Sequence, residues 1–226
     1  MTTTSTIAGQ VFERLLDDLK SNQFGPGERL KFDEMRDRYN VSVAPLREAL
    51  SRLAGQGLVT QVGQKGFRAP ESSIEDFGHV IASRKFLEKR ALEFSIANGE
   101  DDWENELVAM FHQLQKATRI KPQTEQEYST WERHHTNFHR ALVAACGSTW
   151  LLNAWRSAFD QAERYRRLAM KRGHWVIDQK DDHERLLKAA LARNALLALR
   201  ILDDHIGRSA GALTDRRDAP KPRKVV

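Results

Sequence analysis

The sequence predicts a mainly α-helical protein with an N-terminal winged helix-turn-helix and a C-terminal six-helix antiparallel bundle. Two patterns support this fold class. Up to residue 70, three short helical segments precede two β-rich segments that are separated by a glycine-containing turn. From about residue 74 onward, apolar residues recur at helical spacing in six long segments, and no strand pattern is seen.

The N-terminal elements follow from local sequence signals. The first helix is predicted over residues 7–22, because apolar residues recur there at every fourth position, and Gly-Pro-Gly ends it. Two further helices are predicted at 31–39 and 43–55, the second of them with Ser42 as its N-cap. After them, LVTQV and GFRAP flank GQK and form a predicted hairpin.

Three helices followed by a hairpin are the arrangement of a winged helix-turn-helix, in which the third helix enters the major groove of DNA. Cations and small residues on these elements are therefore the candidates for contact with a double-stranded operator. They are Arg36, Arg38, Ser42, Val43, Ala44, Arg47, Arg52, Lys65 and Gly66. The alternative is that these residues are ordinary solvated side chains on a helical domain.

The helices of the C-terminal part are predicted at about 74–98, 102–119, 124–146, 149–171, 177–193 and 195–210. The stretch APESSI, at residues 69–74, contains a proline and two serines and is the predicted linker. The chain is thus divided into four parts. They are a DNA-binding domain at 1–70, a linker at 71–77, a helical effector-binding and dimerisation domain at 78–212 and a basic flexible tail at 213–226.

Composition limits the class of protein. With 40% hydrophobic and 30% charged residues, the chain is expected to be globular and soluble. A net charge of +5 is compatible with a nucleic-acid partner. The single cysteine, Cys146, excludes an intrachain disulfide, and no apolar run has the length of a membrane span or a secretory signal. The expected location is the cytoplasm, with no membrane partner.

Longer motifs indicate a family. The stretch FGPGERLKFDEMRDRYNVSVAPLREALSRLAGQGLVTQVGQKGFRAP resembles the N-terminal signature of GntR-type transcription regulators. ASRKFLEKRALEFSIANG, FHRALVAACGS and DHERLLKAALARNALLALRILDDHI resemble the FadR-type effector domain, or FCD domain, of the same family. The resemblance covers about residues 7–210. Within the family, VAPLREAL, QKGFRAP, RHHTNFH and ACGSTWLL are most similar to carbon-starvation repressors that respond to a dicarboxylate, glutarate.

The DNA-reading helix departs from the family pattern. Where the family begins this helix with Ser-Arg-Thr-Pro, the chain has Ser42-Val43-Ala44-Pro45, so the first base-reading arginine is absent. Arg47 is retained, and an arginine that binds guanine O6 and N7 contributes about 1–3 kcal/mol of discrimination. We therefore expect an operator that differs from the usual family half-site, with Val43 or Ala44 against a thymine methyl group.

Histidines form the second candidate site. His135 and His139 are four residues apart and share one face of a predicted helix. The resemblance implies a buried metal site of one Asp and three His, in which His135 takes the Asp position and the remaining ligands are His139, His183 and His205. Imidazoles bind Zn²⁺ at about 2.0–2.1 Å and also suit Ni²⁺ and similar divalent metals.

Two interpretations of this cluster stay open. In the first, the four histidines hold a divalent metal and the carboxylate of an effector completes its coordination. In the second, the metal is lost, and the histidines together with Arg84 bind a carboxylate or dicarboxylate directly. The candidate effector-binding residues are Arg84, His135, His139, Tyr165, Arg166, His183 and His205.

The function that these expectations describe is that of a homodimeric, ligand-responsive DNA-binding regulator. Its predicted role is to repress a metabolic operon, with a small organic acid as effector, and the chain is not expected to be an enzyme. The alternative is a metal-dependent hydrolase that uses the histidine cluster. No HExxH-type motif supplies a general base for such a site. A helical scaffold with an incidental helix-turn-helix is the third possibility.

Overall fold

The computed structural model describes residues 6–63, 66–119, 122–171 and 180–214. The chain divides into two compact units. One unit contains the described residues before Ile81 together with the part of the seventh helix from Arg156 onward, and the other contains the remaining ones. The predicted domain boundaries remain predictions, and residues 215–226 of the predicted tail lie outside the described residues.

The first unit begins with three helices and three short strands. They are α1 (Ile7–Lys20), β1 (Arg29–Leu30), α2 (Phe32–Tyr39), α3 (Val43–Gly55), β2 (Thr60–Gln61) and β3 (Phe67–Arg68). Strand β3 lies in the middle of the sheet and is antiparallel to both neighbours, with Arg68 opposite Arg29 on one side and opposite Thr60 on the other. The predicted winged helix-turn-helix is confirmed.

The prediction missed strand β1. Its two residues are too few to show an alternation of apolar and polar side chains, and only Glu28 separates them from the Gly-Pro-Gly break. They form a strand because β3 pairs with them, and the pairing places Leu30 and Phe67 opposite each other in the core. The sheet of the wing therefore has three strands instead of the two of a simple hairpin.

A single apolar core holds the winged helix-turn-helix together. Leu15 of α1 and Leu46, Leu50 and Leu53 of α3 are completely buried, as the helical spacing of these residues requires. Each such side chain contributes about 1.5–3 kcal/mol of transfer free energy. Helix α2 is capped at its C-terminus by Asn40, whose φ of 52° is left-handed, and asparagine tolerates this conformation better than most residues.

The same unit includes residues of α7 that lie far along the chain. Lys20 of α1 forms ion pairs with Asp160 at 3.0 Å and with Glu163 at 2.6 Å. Asn22 donates a hydrogen bond to the carbonyl of Arg164 at 3.0 Å, and Gln161 donates one to the carbonyl of Gly57 at 2.6 Å. The end of α1 and the end of α3 are thus both attached to α7.

The six predicted bundle helices are present, and residues 177–179 of the fifth one lie outside the described residues. The helices are α4 (Ile74–Asn98), α5 (Asp101–Thr118), α6 (Glu125–Val143), α7 (Thr149–Lys171), α8 (Lys180–Leu191) and α9 (Ala195–Thr214). In the second unit, α5 packs against α6 and α8, and α8 packs against α9. None of the described helices combines the length and the apolar composition that a membrane span requires.

Helix α6 carries most of the candidate site. Its N-terminus is closed by a capping box, in which Thr124 accepts from the backbone of Glu127 and the Glu127 side chain accepts from the backbone of Thr124. Its inward face consists of residues at helical spacing. They are Tyr128, Trp131, Glu132, His135, Phe138, His139 and Leu142. The two histidines therefore point into the unit with the aromatic residues of the same face.

We expect Thr124→Ala to lower the free energy of unfolding by about 1 kcal/mol, because the cap of α6 loses its side-chain acceptor. Urea denaturation followed by circular dichroism measures this change. Thr130→Ala is the matched control, since Thr130 lies half-buried inside the same helix, where alanine is the better helix former. An equal loss of stability in both variants would contradict a specific role for the cap.

Candidate functional site

The structure brings four histidines together inside the second unit. His135 and His139 come from α6, His183 from α8 and His205 from α9, and all four are buried. One ring nitrogen of each can be chosen so that the four atoms lie within 4.8 Å of one another. The ring centroids of His135 and His139 are 4.5 Å apart, and those of His183 and His205 are 4.6 Å apart. We call this set the histidine cluster.

Aromatic side chains of α6 enclose the cluster. The indole of Trp131 stacks on His135, with ring centroids 4.9 Å apart and an interplanar angle of 17°. The ring of Phe138 meets His183 edge-on at 5.4 Å. The imidazoles are thus buried against aromatic rings, and polar interactions in such an interior are stronger than in water.

Three carboxylates lie next to the Nδ1 atoms of the cluster. Glu88 Oε1 is 2.6 Å from His139 Nδ1, and Glu132 Oε1 is 3.3 Å from His135 Nδ1. Asp182 Oδ2 lies 3.7 Å from His205 Nδ1, which is too long for a hydrogen bond. A carboxylate at Nδ1 fixes the orientation of the ring and directs Nε2 toward a ligand, as in metal sites where histidine is the donor.

Glu88 also binds the predicted arginine. The Nε of Arg84 donates to Glu88 Oε2 at 2.8 Å, and both side chains are buried. Each oxygen of this carboxylate thus has its own partner, Arg84 on one side and His139 on the other. Arg84 was predicted for this site and Glu88 was not, although their spacing of four residues on one helix is the signal by which the pair could have been found.

Burial sets the ionisation of the cluster. Burial lowers the pKa of His139 to about 4, the positive charge of Arg84 also lowers it, and Glu88 acts in the opposite direction. Burial likewise lowers the pKa of His205 to about 4. Burial alone would raise the pKa of Glu88, but Arg84 and His139 outweigh it and hold the pKa well below its usual range. Near neutral pH, His139 and His205 are therefore neutral and Glu88 is ionised.

The other two effector-binding candidates belong to the first unit. The hydroxyl of Tyr165 donates to Asp76, and its ring contacts Phe77 with centroids 4.8 Å apart. Burial and the hydrogen bond to Asp76 raise the pKa of Tyr165 to about 12. Arg166 is buried with its guanidinium 5.1 Å from the ring of Phe159. The assignment of Tyr165 and Arg166 to the effector site stays a prediction.

The second candidate surface is the exposed side of α3. Ala44, Arg47 and Arg52 are exposed there, opposite the buried leucines. The guanidinium of Arg47 lies 5.0 Å from the ring centroid of Phe32, and that of Arg52 lies 4.3 Å from the ring centroid of Phe12. Cation–π contacts of this kind hold the two arginines at the sides of the helix.

The remaining DNA-contact candidates lie around α3. Ser42 is the N-cap of the helix, as predicted, but its side chain makes no capping hydrogen bond. On α2, Arg38 forms an ion pair with Asp18 at 3.0 Å, whereas Arg36 is 3.9 Å from Asp33. Val43 is half-buried at the start of α3.

In the wing, Gly66 has a φ of 99°, a conformation that favours glycine, and Lys65 lies outside the described residues.

A winged helix-turn-helix joined to a helical bundle with a buried polar cluster defines a class of DNA-binding proteins that carry a ligand-binding domain. Residues 7–68 match the bacterial regulatory proteins of the gntR family, and residues 79–208 match the FCD domain. The chain belongs to the GntR family of transcription regulators with an FCD domain. It is thus a DNA-binding regulator and not an enzyme, and the hydrolase alternative has no support.

Curated relatives agree with this assignment. The chain is 35% identical to the HTH-type transcriptional repressor GlaR of Escherichia coli (strain K12). The match extends over 196 residues, which are 85% of this chain and 89% of that protein. It is 34% identical to the uncharacterized HTH-type transcriptional regulator BphR of Paraburkholderia xenovorans (strain LB400), over 86% of this chain and 80% of the relative.

Solved structures share the fold. E. coli McbR/YncC matches with a TM-score of 0.75 at 19% identity, over 92% of this chain and 97% of that chain. A GntR regulator from Rhodococcus sp. RHA1 matches with a TM-score of 0.72 at 18% identity, over 91% of this chain and 96% of that chain. At these identities the likeness concerns the architecture and not the ligand.

Proposed function

We propose that the protein represses a metabolic operon and leaves its operator when a small carboxylate binds at the histidine cluster. The observation that carries the proposal is the cluster itself, four buried imidazoles beside the buried pair of Arg84 and Glu88. Clusters of buried titratable side chains with shifted pKa values occur preferentially at functional sites. The relative GlaR is named a transcriptional repressor, which supports repression over activation.

The donor set fits a divalent metal. At a metal–nitrogen distance of about 2.0–2.1 Å, neighbouring tetrahedral ligands are about 3.3 Å apart and opposite octahedral ligands about 4.1 Å apart. The nitrogens of the cluster lie within 4.8 Å, so a small inward movement would suffice. His135, His139, His183 and His205 would hold the ion, and wholly imidazole ligation suits Zn²⁺ or Ni²⁺ better than Mg²⁺ or Mn²⁺. When bound, the ion supplies a positive charge to which a carboxylate can coordinate.

The effector that this surrounding favours is an organic acid. Arg84 carries five N–H donors, of which Nε is directed to Glu88, and a guanidinium binds carboxylates strongly where water is excluded. A dicarboxylate such as glutarate is the first compound to test, because it offers one carboxylate to the cluster and a second to a neighbouring donor.

Regulation needs two further properties. We propose that the protein acts as a homodimer in the cytoplasm. Its two winged helix-turn-helix domains would bind a palindromic operator, since proteins with two-fold symmetry recognise sites with two-fold symmetry. The effector must bind the DNA-competent and DNA-incompetent states with different affinities, because otherwise it could not shift their populations. The positions on α3 where the family arginine is replaced, Val43 and Ala44, would then give an unusual half-site.

We expect a dicarboxylate to weaken operator binding by roughly 5- to 150-fold, which corresponds to the usual coupling between two linked sites. Fluorescence anisotropy with the DNA upstream of the gene measures this, with a panel of mono- and dicarboxylates and with the protein either loaded with Zn²⁺ or treated with a chelator. An operator affinity that no acid changes would refute the ligand-responsive part of the proposal.

A matched pair of variants localises the effect. Arg84→Lys keeps the positive charge but removes the planar fork of donors, so we expect it to bind the operator and to lose the response to the acid. Arg90→Lys, on the exposed side of the same helix, should respond as the wild type does. An equal response in both variants would place the effector away from Arg84.

A further inference from the structure

The exposed side of α3 contains one acidic residue, Glu48, between two arginines. Arg47 precedes it directly and Arg52 follows four residues later. Glu48 is exposed, and within the described part of the chain it forms neither a hydrogen bond nor an ion pair. A carboxylate in this position needs an explanation, because the third helix of a winged helix-turn-helix faces DNA.

An ion pair that stabilises α3 does not explain the presence of Glu48. A glutamate four residues before an arginine usually stabilises a helix through an ion pair with it. Here the guanidinium of Arg52 lies 4.3 Å from the ring centroid of Phe12 on α1, and no ion pair joins Arg52 to Glu48 in the part of the chain that the structure describes. The side chain of Glu48 is therefore available to a partner outside the protein.

DNA offers a carboxylate few favourable partners. The phosphates repel it, so Glu48 weakens binding to DNA of any sequence. The groups that attract it are the amino groups of the bases in the major groove, and for glutamate the usual partner is the N4 amino group of cytosine. A negative charge on the reading face is thus unfavourable for affinity and useful for choosing between sequences.

We propose that Glu48 determines operator specificity by accepting a hydrogen bond from the N4 amino group of a cytosine, beside the base that Arg47 contacts. This inference rests on the role of α3 as the helix that enters the major groove. Consecutive residues of a helix project about 100° apart, so Arg47 and Glu48 reach neighbouring base edges and not the same one. The half-site then carries a cytosine that the family arginines alone would not select.

Selection from randomised duplexes with the full-length protein tests this role. We expect the wild type to select cytosine at one position of each half-site and Glu48→Ala to lose that preference, with a fall in discrimination of roughly 5- to 100-fold. Glu48→Gln should instead prefer adenine there, because glutamine binds the N6 and N7 edge of adenine. Glu13→Gln removes an equal charge from the exposed side of α1 and should leave the selected sequence unchanged.

The selection distinguishes a failure of α3 as the DNA-reading helix from a failure of the role of Glu48. A wild-type protein that selects no sequence overturns the DNA-reading role of α3 and this proposal with it. A wild-type protein that selects an operator which Glu48→Ala selects unchanged at every position overturns only the role of Glu48. Thermal unfolding of each variant accompanies the selection, so that a change in sequence preference is distinguished from a loss of folded protein.

Discussion

We expect Glu88→Gln to lower the free energy of unfolding by about 3–5 kcal/mol, which is the usual cost of removing one partner of a buried ion pair. Glu88 and Arg84 are 0% and 1% exposed, and their side chains meet at 2.8 Å. The neutral amide would leave the guanidinium charge uncompensated in the interior, and it would also replace the acceptor of His139. Urea unfolding at neutral pH, followed by circular dichroism, measures the loss.

Glu93→Gln is the matched control on the same helix. Glu93 pairs with Arg90 at 2.6 Å, but both side chains are about half exposed, at 43% and 54%. Exposed pairs of this kind contribute about 0–1 kcal/mol. If the two glutamine variants unfold at the same urea concentration, the buried pair does not stabilise the second unit in the way the geometry indicates.

The second large effect concerns metal binding. We expect His139→Ala and His183→Ala each to lower the affinity for Zn²⁺ or Ni²⁺ by more than about 100-fold, because even residues that only orient a metal ligand are worth 10- to 100-fold. Competition with a coloured chelator gives the affinity, and elemental analysis of the purified protein gives the metal content. His134→Ala is the control, since His134 is adjacent to His135 but is not part of the cluster.

The same measurement decides between the two interpretations of the cluster. A wild-type protein that takes up one equivalent of metal per chain and loses it in the His139→Ala variant supports metal-assisted binding of the acid. A wild-type protein that binds the acid after chelation, and takes up no metal on loading, supports direct binding by the histidines and Arg84. If His134→Ala loses metal as fully as His139→Ala does, the cluster is not the binding site.

The sequence allowed the fold class to be predicted because each element carries its own periodicity. The helices α4 and α7 begin and end where the apolar pattern indicates. Helix α6 ends at Val143, three residues before the predicted limit, because the chain turns there and Gly147 adopts a left-handed φ of 74°. Strand β1 was missed because its partner, β3, is nearly forty residues away and no local signal marks the pairing.

The candidate site could be predicted only in part. The resemblance to the family indicated which histidines to consider, and the i, i+4 spacing placed His135 and His139 on one face. Glu132 lies three residues before His135 and Glu88 four residues after Arg84, so helical spacing could have placed each glutamate on an inward face. The contact of Glu88 with His139 could not be predicted, because it depends on how α4 packs against α6, and sequence periodicity does not fix the rotation of one helix against another.

The attachment of α7 to the ends of α1 and α3 limits the modularity of the protein. A fragment that stops at residue 80 would retain Lys20 and Asn22 but would lack the carboxylates and the carbonyl that these side chains bind in α7. Chimeras that join this winged helix-turn-helix to the bundle of a relative would lack the same partners. A functional exchange of DNA-binding domains would therefore have to include residues 156–171 together with the N-terminal segment.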